Sequence, residues 1–514
     1  MSVHSSIEFG AVAPASPKSS FWTGDLALVT CLAIATVVVH VVTGGRYGFQ
    51  RDELATLEDA RHLAWGYVAY PPVAPLFGRL SLELFGESLR GFRFFAAVAE
   101  AAAVVVTGLM ARQLGGGRWA QLVTAMAAVP FCLGGGALMQ YVSFDYLCWV
   151  LTAYFTLRLL QSDDPRWWIA IGGAIGLGML SKYSMPFFVA GLIAGVLFTD
   201  GRRYLKSRWL WLGVAVSVLI FLPNLIWQMQ QGFVSLDFLR RIHARDVGQG
   251  RHHGFLLGQL KLTLLAFPIW IAGLYRYLFS PTGKRYRMLG WMYVVPLLLF
   301  VVAKGRDYYL AGTYPMLYAA GAVWAEGWLV SLRRTTAGIL KTSVWIALVV
   351  DAAIAAAITL PIAPVNSAWF KVASKINGDF REEIGWPELV ETVARVRDAL
   401  PPQDRAHLGI LATNYGEAGA VNLYGPQYGL PKAISGVNSF WQRGFGNPPP
   451  QVVIVLGLSR NFLERNFTSC ETAAHTWNRF GIANEETIEH PDIFVCRGLR
   501  KSWPEFWKHF RYYG

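Results

Sequence analysis

Apolar runs separated by polar loops dominate residues 25–362 of the chain. A helix that crosses a bilayer needs about 20 mainly apolar residues, and the pattern predicts eleven such spans. The fifth and sixth are short enough to be two tilted half-helices or one broken hairpin. The predicted spans are 25–44, 92–111, 119–138, 143–161, 167–181, 185–199, 209–227, 255–278, 288–303, 309–331 and 342–362.

The pattern changes after residue 362. Residues 387–400 have helical periodicity with a proline in the first turn, and Leu408 to Ala412 and Gln451 to Leu456 are typical of buried strands. A helix is expected over 416–424 and a further strand over 494–496. Strands that alternate with helices predict a small α/β domain. The division is therefore a tail (1–24), a mainly α-helical polytopic membrane domain (25–362) and a C-terminal α/β domain (363–514).

Composition supports a membrane protein. Hydrophobic residues make up 54% of the chain and charged residues 15%, whereas soluble domains carry about 25% charge. A net charge of +13 could indicate nucleic acid in a soluble protein. Here most Lys and Arg lie in short loops between apolar runs, where membrane topology and anionic lipid account for them, so no nucleic-acid partner is expected.

The basic loops also predict an orientation. If the N-terminus is cytoplasmic, every loop on the cytoplasmic side is rich in Lys and Arg, as the positive-inside rule requires. An odd number of spans then places residues 363–514 outside, and residues 45–91 form a long first outer loop. We expect a multi-pass protein of a bacterial inner membrane with a periplasmic C-terminal domain.

Several outer loops nevertheless carry basic residues, against the topological trend. Such residues could hold an anionic group such as a phosphate, although they could also contact lipid phosphates or acidic partners. The candidates in these loops are Arg51, Arg61, Arg240, Arg241, Arg245, Arg251, Lys304 and Arg306.

Two acidic residues, Asp52 and Glu53, open the first outer loop just before a helix-like run that is followed by Pro71-Pro72. A carboxylate at a partly desolvated membrane boundary suits a general base. The alternative is that Asp52 caps the N-terminus of the helix. Pro71 and Pro72 are expected to end that helix near Tyr70.

Asp145 lies at the predicted outer start of an apolar helix, where an acid is costly and usually functional, although it too could be a helix cap. Lys182 stands at another outer helix end and could bind phosphate or extend its ammonium group to the interface. His243, His252 and His253 are close in sequence, but no spacing defines a metal site. No cofactor is expected with certainty, and a divalent metal remains possible. Cys470 and Cys496 could form a disulfide if their domain is extracytoplasmic.

Five motifs resemble a known family when they are read in order. They are Asp52-Glu53, then HLAWGYVAYPPV, then SFD ending at Asp145, then GLGMLSKYSM, and finally KGRDYYLAGTYP. Together with the C-terminal GWPELVETVARV and ATNYGEAGAVNLYGP, they are similar to the bacterial polyprenyl-phosphate-dependent C-type glycosyltransferases, a superfamily that includes protein O-mannosyltransferases and lipid A aminoarabinose transferases.

The resemblance implies inverting transfer of a sugar from a polyprenyl-phosphate donor to a glycolipid, glycan or protein acceptor. It implies catalytic positions at Asp52, Glu53 and Asp145, and donor or phosphate contacts at Lys182, Lys304, Arg306 and Tyr309. Aminoarabinose transferases carry an Arg after the acidic pair and a Lys before Pro-Pro, where this chain has Leu54-Ala55 and Tyr70. Arg51, Arg61 or the loop from Arg240 to Arg251 would then supply the positive charge. Tyr70 is a further candidate for donor binding, and no particular sugar is implied.

Two other functions are compatible with a polytopic chain. A transporter or lipid flippase would require charges in mid-span and repeated half-helices, whereas the charges here concentrate at one face. A non-catalytic protein that binds lipid phosphate would keep the fold and turn over nothing.

Overall fold

The computed structural model describes residues 24–514. The predicted N-terminal tail, residues 1–24, therefore lies outside the described residues except for Gly24. The first part of the described chain is a bundle of helices, and the last part is a helix-flanked sheet.

Fifteen α-helices form the first part, with short 3-10 turns at 200–206, 264–266, 281–286 and 307–313. Helices occur at all eleven predicted spans, and two further helices, α2 and α3, lie within residues 45–91. The bounds are α1 Asp25–Thr43, α2 Arg51–Arg61, α3 Val73–Phe85, α4 Leu89–Gln113, α5 Arg118–Gly135, α6 Tyr141–Ser162, α7 Trp167–Met179, α8 Met185–Phe198, α9 Arg208–Gln230, α10 Val234–Gly248, α11 Phe255–Thr263, α12 Phe267–Leu278, α13 Arg287–Val302, α14 Tyr314–Val330 and α15 Arg334–Thr359.

Fewer than eleven helices of residues 24–514 have the length and composition that a membrane span requires. Six helical segments of residues 24–514 are long and apolar enough to cross a membrane, or seven if α8 and the bent turn after it form one span. Helix α14 has only 17 residues, and α5 and α6 contain polar residues such as Gln121 and Asp145. Both helices are largely buried by their neighbours, and a helix shielded from lipid does not need a uniformly apolar surface. The count of eleven is not confirmed.

Helix α2 begins with a reciprocal capping box. The side chain of Gln50 accepts a hydrogen bond from the backbone of Asp52, and the carboxylate of Glu53 accepts one from the backbone of Gln50 at 3.0 Å. The helix ends at Arg61 and not near Tyr70. Residues 62–70 form a loop instead, and Pro72 is the N-cap of α3. The prolines therefore position the start of α3.

The C-terminal part is a mixed five-stranded sheet with the order β2-β1-β3-β5-β4. Strands β1, β2 and β3 are parallel, and β5 pairs antiparallel with both β3 and β4. The helix predicted over 387–400 and the strands near 408–412 and 451–456 are present. The bounds are α16 Ala368–Ile376, α17 Asp379–Glu382, α18 Trp386–Ala399, α19 Pro402–Ala406, β1 Leu408–Ala412, α20 Tyr415–Tyr424, β2 Ala433–Ser435, α21 Asn438–Gln442, β3 Val452–Leu456, α22 Arg460–Asn466, β4 Phe467–His475, α23 Glu485–Ile488, β5 Asp492–Leu499 and α24 Trp503–His509.

Helix α20 packs directly on α2. At Gly419 a Cβ atom would lie only 2.7 Å from the Cβ of Leu54 and 2.9 Å from its carbonyl oxygen. Glycine therefore permits a backbone approach that a larger residue would prevent. This packing joins the α/β domain to α2 and brings the N-terminus of α20 close to the start of α2.

Candidate active site

A cavity of about 420 Å³ lies where α2 meets the C-terminal domain and the ends of several bundle helices. Asp52, Thr56 and Asp59 of α2 line it, because residues spaced three, four and seven apart share one helix face. The other walls come from the start of α6, the turn before α8, helix α10, the loop after α13, and Tyr415 and Asn438 of the C-terminal domain.

Asp52 faces the cavity with both carboxylate oxygens engaged. Tyr415 donates to Oδ1 at 2.8 Å, and Gln140 Nε2 donates to Oδ2 at a longer 3.3 Å. Asp52 is not the helix cap, because Gln50 has that position and Asp52 is the second residue of α2. Burial raises the pKa of Asp52, while the hydrogen bond from Tyr415 and the nearby positive charge of Arg51 oppose the rise. A partly desolvated carboxylate with a long hydrogen bond at one oxygen is suited to accept a proton at that oxygen.

Glu53 points away from this cavity and is fully buried. Arg93 of α4 donates to its two oxygens at 2.6–3.2 Å, and the backbone N–H of Met139 donates to Oε1 at 2.8 Å. Arg93 also reaches Glu383 of the C-terminal domain at 3.2 Å. These contacts tie α2 to α4 and to the segment that precedes α6.

Arg51 also points away from the cavity. Its guanidinium forms ion pairs with Glu485 and with Glu486 at 3.0 Å, and lies 3.9 Å from Glu382. All three acids belong to the C-terminal part of the chain. Arg51 therefore connects α2 with that domain, and its donors are directed at protein carboxylates.

Lys182 lies on the cavity wall inside a group of tyrosines. Its ammonium nitrogen is 4.5 Å from the ring centre of Tyr309, 5.4 Å from that of Tyr308 and 5.6 Å from that of Tyr141. Within residues 24–514, no carboxylate approaches this nitrogen within the 4.0 Å of an ion pair. Aromatic faces stabilise a cation without neutralising it, so Lys182 retains its donors for an anionic ligand.

Lys304 and Arg306 line the same part of the cavity. Lys304 follows α13 in a left-handed backbone conformation (φ 50°), which is rare for a residue with a side chain. Arg306 donates through two nitrogens to Asp246 of α10, at 2.7 and 2.6 Å. Arg306 is thus partly neutralised, whereas Lys304 has no ion-pair partner in the described part of the chain.

Asp145 lies in the second turn of α6, close to the cavity but not on its wall. Trp149 Nε1 donates to Oδ1 at 3.0 Å, and Ser184 Oγ donates to Oδ2 at 2.8 Å. The cap of α6 is Gln140, so Asp145 does not cap the helix. Ser184 itself lines the cavity beside Lys182, and Asp145 fixes its position.

Tyr70 and Asp59 form a second polar region of the cavity. The hydroxyl of Tyr70 donates to Asp59 Oδ2 at 2.7 Å, and Arg443 of the C-terminal domain forms an ion pair with Oδ1. The sequence interpretation did not include Asp59 or Tyr415. Asp59 could have been found, because it lies seven residues after Asp52 on one helical face, whereas no local signal links Tyr415 to α2.

Arg240 does not line the cavity. Its side chain is 78% exposed and lies 3.5 Å from Asp237, one turn earlier. The face of α10 that lines the cavity contains Leu239, Ile242, Arg245 and Asp246 instead. Helical periodicity separates these residues from position 240.

Two further expectations concern metal and disulfide. Among residues 24–514, no three His, Cys, Asp or Glu side chains are grouped so that they could hold a metal ion, and His243, His252 and His253 do not form such a set. Cys470 and Cys496 are directly opposite each other on β4 and β5, and their sulfur atoms are bonded.

Comparisons with known proteins agree with this architecture. Residues 69–227 match a family described as dolichyl-phosphate-mannose-protein mannosyltransferase. ArnT from Cupriavidus metallidurans, in a structure bound to undecaprenyl phosphate, is 16% identical with a TM-score of 0.56 over 92% of this chain and 97% of that one. The apo structure of the same ArnT is 15% identical, with a TM-score of 0.57 over 92% of this chain and 97% of that one. No curated protein matches the sequence.

A more distant similarity extends to an archaeal protein. AglB from Archaeoglobus fulgidus, an oligosaccharyltransferase in complex with an inhibitory peptide and a dolichol-phosphate, is 13% identical with a TM-score of 0.50. The alignment covers 85% of this chain and 70% of AglB. The chain therefore shares the fold of ArnT and AglB. The family match over residues 69–227 and this shared fold agree with the resemblance that the motifs indicate.

Proposed function

We propose that the protein is a glycosyltransferase that moves a sugar from a polyprenyl-phosphate donor to an acceptor on the periplasmic face of a bacterial inner membrane, with inversion. One observation carries the proposal: a single cavity contains a partly desolvated carboxylate, Asp52, and two cations without ion-pair partners in residues 24–514, Lys182 and Lys304. Glycosyl transfer from a phosphate requires a base and a site that stabilises the departing phosphate.

The cations provide the phosphate site in this proposal. Lys182 and Lys304 bind the phosphate oxygens of the donor, and Arg306 contributes a charge that Asp246 partly balances. Positive charge at this position favours bond breaking, because negative charge increases on the phosphate as the sugar departs. Phe187, Phe300 and Phe238 line the same cavity and offer apolar surface to the first isoprene units of the carrier.

Asp52 acts as the general base. Its carboxylate takes the proton of the acceptor nucleophile as that atom forms a bond to the anomeric carbon of the sugar. The bond from the anomeric carbon to the phosphate oxygen breaks in the same step, and the electron pair leaves with the polyprenyl phosphate. A single displacement inverts the anomeric configuration. Asp52 then releases its proton to solvent.

The remaining residues predicted for the site have positioning roles in this account. Glu53 holds α2 through Arg93, and Asp145 holds Ser184 beside Lys182. Arg51 joins α2 to the C-terminal domain, and Tyr70 orients Asp59. Arg240 has no contact with the cavity, so we assign it no role in donor binding.

A test of the function uses purified protein in lipid nanodiscs, a panel of polyprenyl-phosphate sugars and an extract of bacterial membrane lipids and glycans. We expect a new glycosylated product that requires one donor and the extract together. Donor sugars that change leaflet without forming a product would indicate a flippase. Donor that binds and stays unchanged throughout the panel would indicate a non-catalytic lipid-phosphate binder. Either result would contradict the proposal.

A further inference from the structure

A second cavity, of about 490 Å³, lies between α2 and the C-terminal domain. Glu58 of α2 and His62, which follows α2, line one side, and residues around β2 and the loop before β3 line the other. This cavity adjoins the first: Phe440 lines both, and the consecutive residues Glu58 and Asp59 of α2 face one cavity each. We call it the adjoining groove.

Arg443 forms the wall between the two cavities. It lines the adjoining groove, while its Nη2 atom is bonded to Asp59, which lines the first cavity. Its Nη1 atom is buried and has no hydrogen-bond partner in the described residues. A buried guanidinium donor without a partner is costly, and an acceptor atom of a ligand in the groove would remove that cost.

The groove has an uncompensated positive charge at Lys432. Lys432 and Arg443 both line it. Arg443 is paired with Asp59, whereas within residues 24–514 the ammonium group of Lys432 has no carboxylate within 4.0 Å. Glu58 is the acidic residue on this lining, but Arg61 lies 3.4 Å from one of its oxygens and His62 lies 3.4 Å from the other. The groove therefore favours an anionic ligand.

The groove also offers apolar surfaces for the rest of the ligand. Phe440 and Phe445 contribute aromatic rings, and Pro448, Pro449 and Pro450 contribute a run of rigid pyrrolidine rings. Rigid apolar surfaces beside a few charged donors are typical of small-ligand sites. Such surfaces suit the C–H faces of a sugar ring, while Lys432 and Arg443 suit a phosphate or carboxylate on that ring.

We propose that the adjoining groove binds the acceptor, and that the acceptor is an anionic saccharide with a phosphate or carboxylate group. This inference rests on the proposed function, because it takes the first cavity as the donor site. The anionic group binds at Lys432 and Arg443, and the neighbouring part of the saccharide passes the Asp59–Arg443 wall and presents its nucleophile to Asp52.

Binding of glucose 6-phosphate without donor tests the proposal, with glucose as the neutral counterpart and saturation-transfer NMR as the readout. We expect glucose 6-phosphate to bind more tightly than glucose. Lys432→Ala should weaken the binding of glucose 6-phosphate by about three- to tenfold, since one charge-assisted contact is lost. Arg405→Ala is the control, because Arg405 is exposed in the sequence segment beside the groove but does not line it. The Arg405→Ala variant should bind glucose 6-phosphate as tightly as the unmodified protein does.

A further variant separates this site from the donor site. Lys182→Ala should leave a component of glucose 6-phosphate binding that depends on Lys432. The assay contains no donor and follows no transfer, so a failed general-base assignment does not affect the result. The proposal is overturned if the probe does not bind, if Lys432→Ala binds it as tightly as the unmodified protein, or if Lys182→Ala alone removes all binding.

Discussion

The hydroxyl of Tyr415 donates a hydrogen bond of 2.8 Å to Asp52, a residue 363 positions earlier in the chain. Asp52 lies in the first turn of α2, and Tyr415 is the first residue of α20 in the C-terminal α/β domain. The close packing of Gly419 on Leu54 keeps these two helix starts together. The C-terminal domain thereby contributes directly to the environment of the proposed base.

Tyr415→Phe should move the pH dependence of transfer. Burial raises the pKa of Asp52, and the hydrogen bond from Tyr415 opposes that rise. A base is active when it is deprotonated. Loss of the Tyr415 hydroxyl raises the pKa of Asp52 further, so the acidic limb of the pH profile of kcat/KM should shift to higher pH. The plateau value of kcat/KM should change less. Steady-state transfer measured from pH 5 to 9 checks this shift.

Tyr428→Phe provides the matched control for that variant. Tyr428 belongs to the same domain but does not line the cavity. Its acidic limb should coincide with that of the unmodified protein. An acidic limb in Tyr415→Phe that stays in place or moves to lower pH would show that the hydroxyl does not stabilise the ionised form of the base.

Lys182→Ala should weaken donor binding. The tyrosine cage leaves the ammonium group charged and without an ion-pair partner in residues 24–514, so its loss removes a charge-assisted contact worth about 1.5–3 kcal/mol. We expect the donor Kd to rise by about 10- to 150-fold in a filter-binding assay. Lys341→Ala, which removes a lysine 5.9 Å from the Trp119 ring, is the control. Equal donor affinity in both variants would remove Lys182 from the phosphate site.

Arg93→Met should destabilise the protein strongly. Arg93 is buried between Glu53 and Glu383, and removal of one partner of a buried ion pair leaves an uncompensated charge at a cost of about 3–5 kcal/mol. The thermal unfolding midpoint in detergent should fall clearly. Arg79→Ala, which breaks an exposed ion pair with Glu83, should lower it little, since such pairs contribute less than about 1 kcal/mol. Similar midpoints for the two variants would contradict the positioning role of Glu53.

The contact between α2 and the C-terminal domain should weaken as the pH rises. Burial raises the pKa of Asp379 to about 6 and that of Glu382 to about 7. The folded protein therefore holds more protons than the unfolded chain between about pH 4 and 7, and stability falls as the pH rises through that range. The unfolding midpoint should be higher at pH 5 than at pH 8.

The double variant Asp379→Asn, Glu382→Gln should reduce this dependence, because neither substituted side chain titrates. Glu383 and Glu417, whose pKa values are also raised by burial, keep the remainder. Glu83→Gln, at an exposed site, should leave the slope as it is. A midpoint that rises between pH 5 and 8 in the unmodified protein would contradict the assignment of these two groups.

Charge placement predicted much of the site from the sequence. Lys182 stands at a predicted outer helix end, and Lys304 and Arg306 break the topological trend. The structure brings all three to the cavity that contains Asp52. Arg240 was selected by the same argument and lies outside the cavity. Loop charge gives no information about which face of α10 a residue occupies, whereas helical periodicity separates position 240 from Leu239, Ile242 and Asp246.

Other features depend on packing that no short pattern encodes. Hydropathy predicts the positions of the helices correctly. The count of eleven spans is not confirmed, because α14 is short and α5 and α6 carry polar residues that their neighbours bury. Glu53 adjoins Asp52 in sequence and faces the opposite way, since Arg93, 40 residues later, binds it. Tyr415 and Arg443 reach α2 only because the α/β domain folds back on it. The helix and strands of that domain could be predicted, but its contact surface could not.

The most direct measurement of the central claim compares donor binding and transfer in Asp52→Asn. If Asp52 is the general base, the variant should bind the polyprenyl-phosphate donor with unchanged Kd, because the side-chain oxygen of Asn can still accept the hydrogen bond from Tyr415. Transfer should fall by about 10²- to 10⁴-fold. Asp237→Asn, on the exposed side of α10, should retain full transfer. Full transfer by Asp52→Asn with normal donor binding would contradict the assignment of Asp52 as the base.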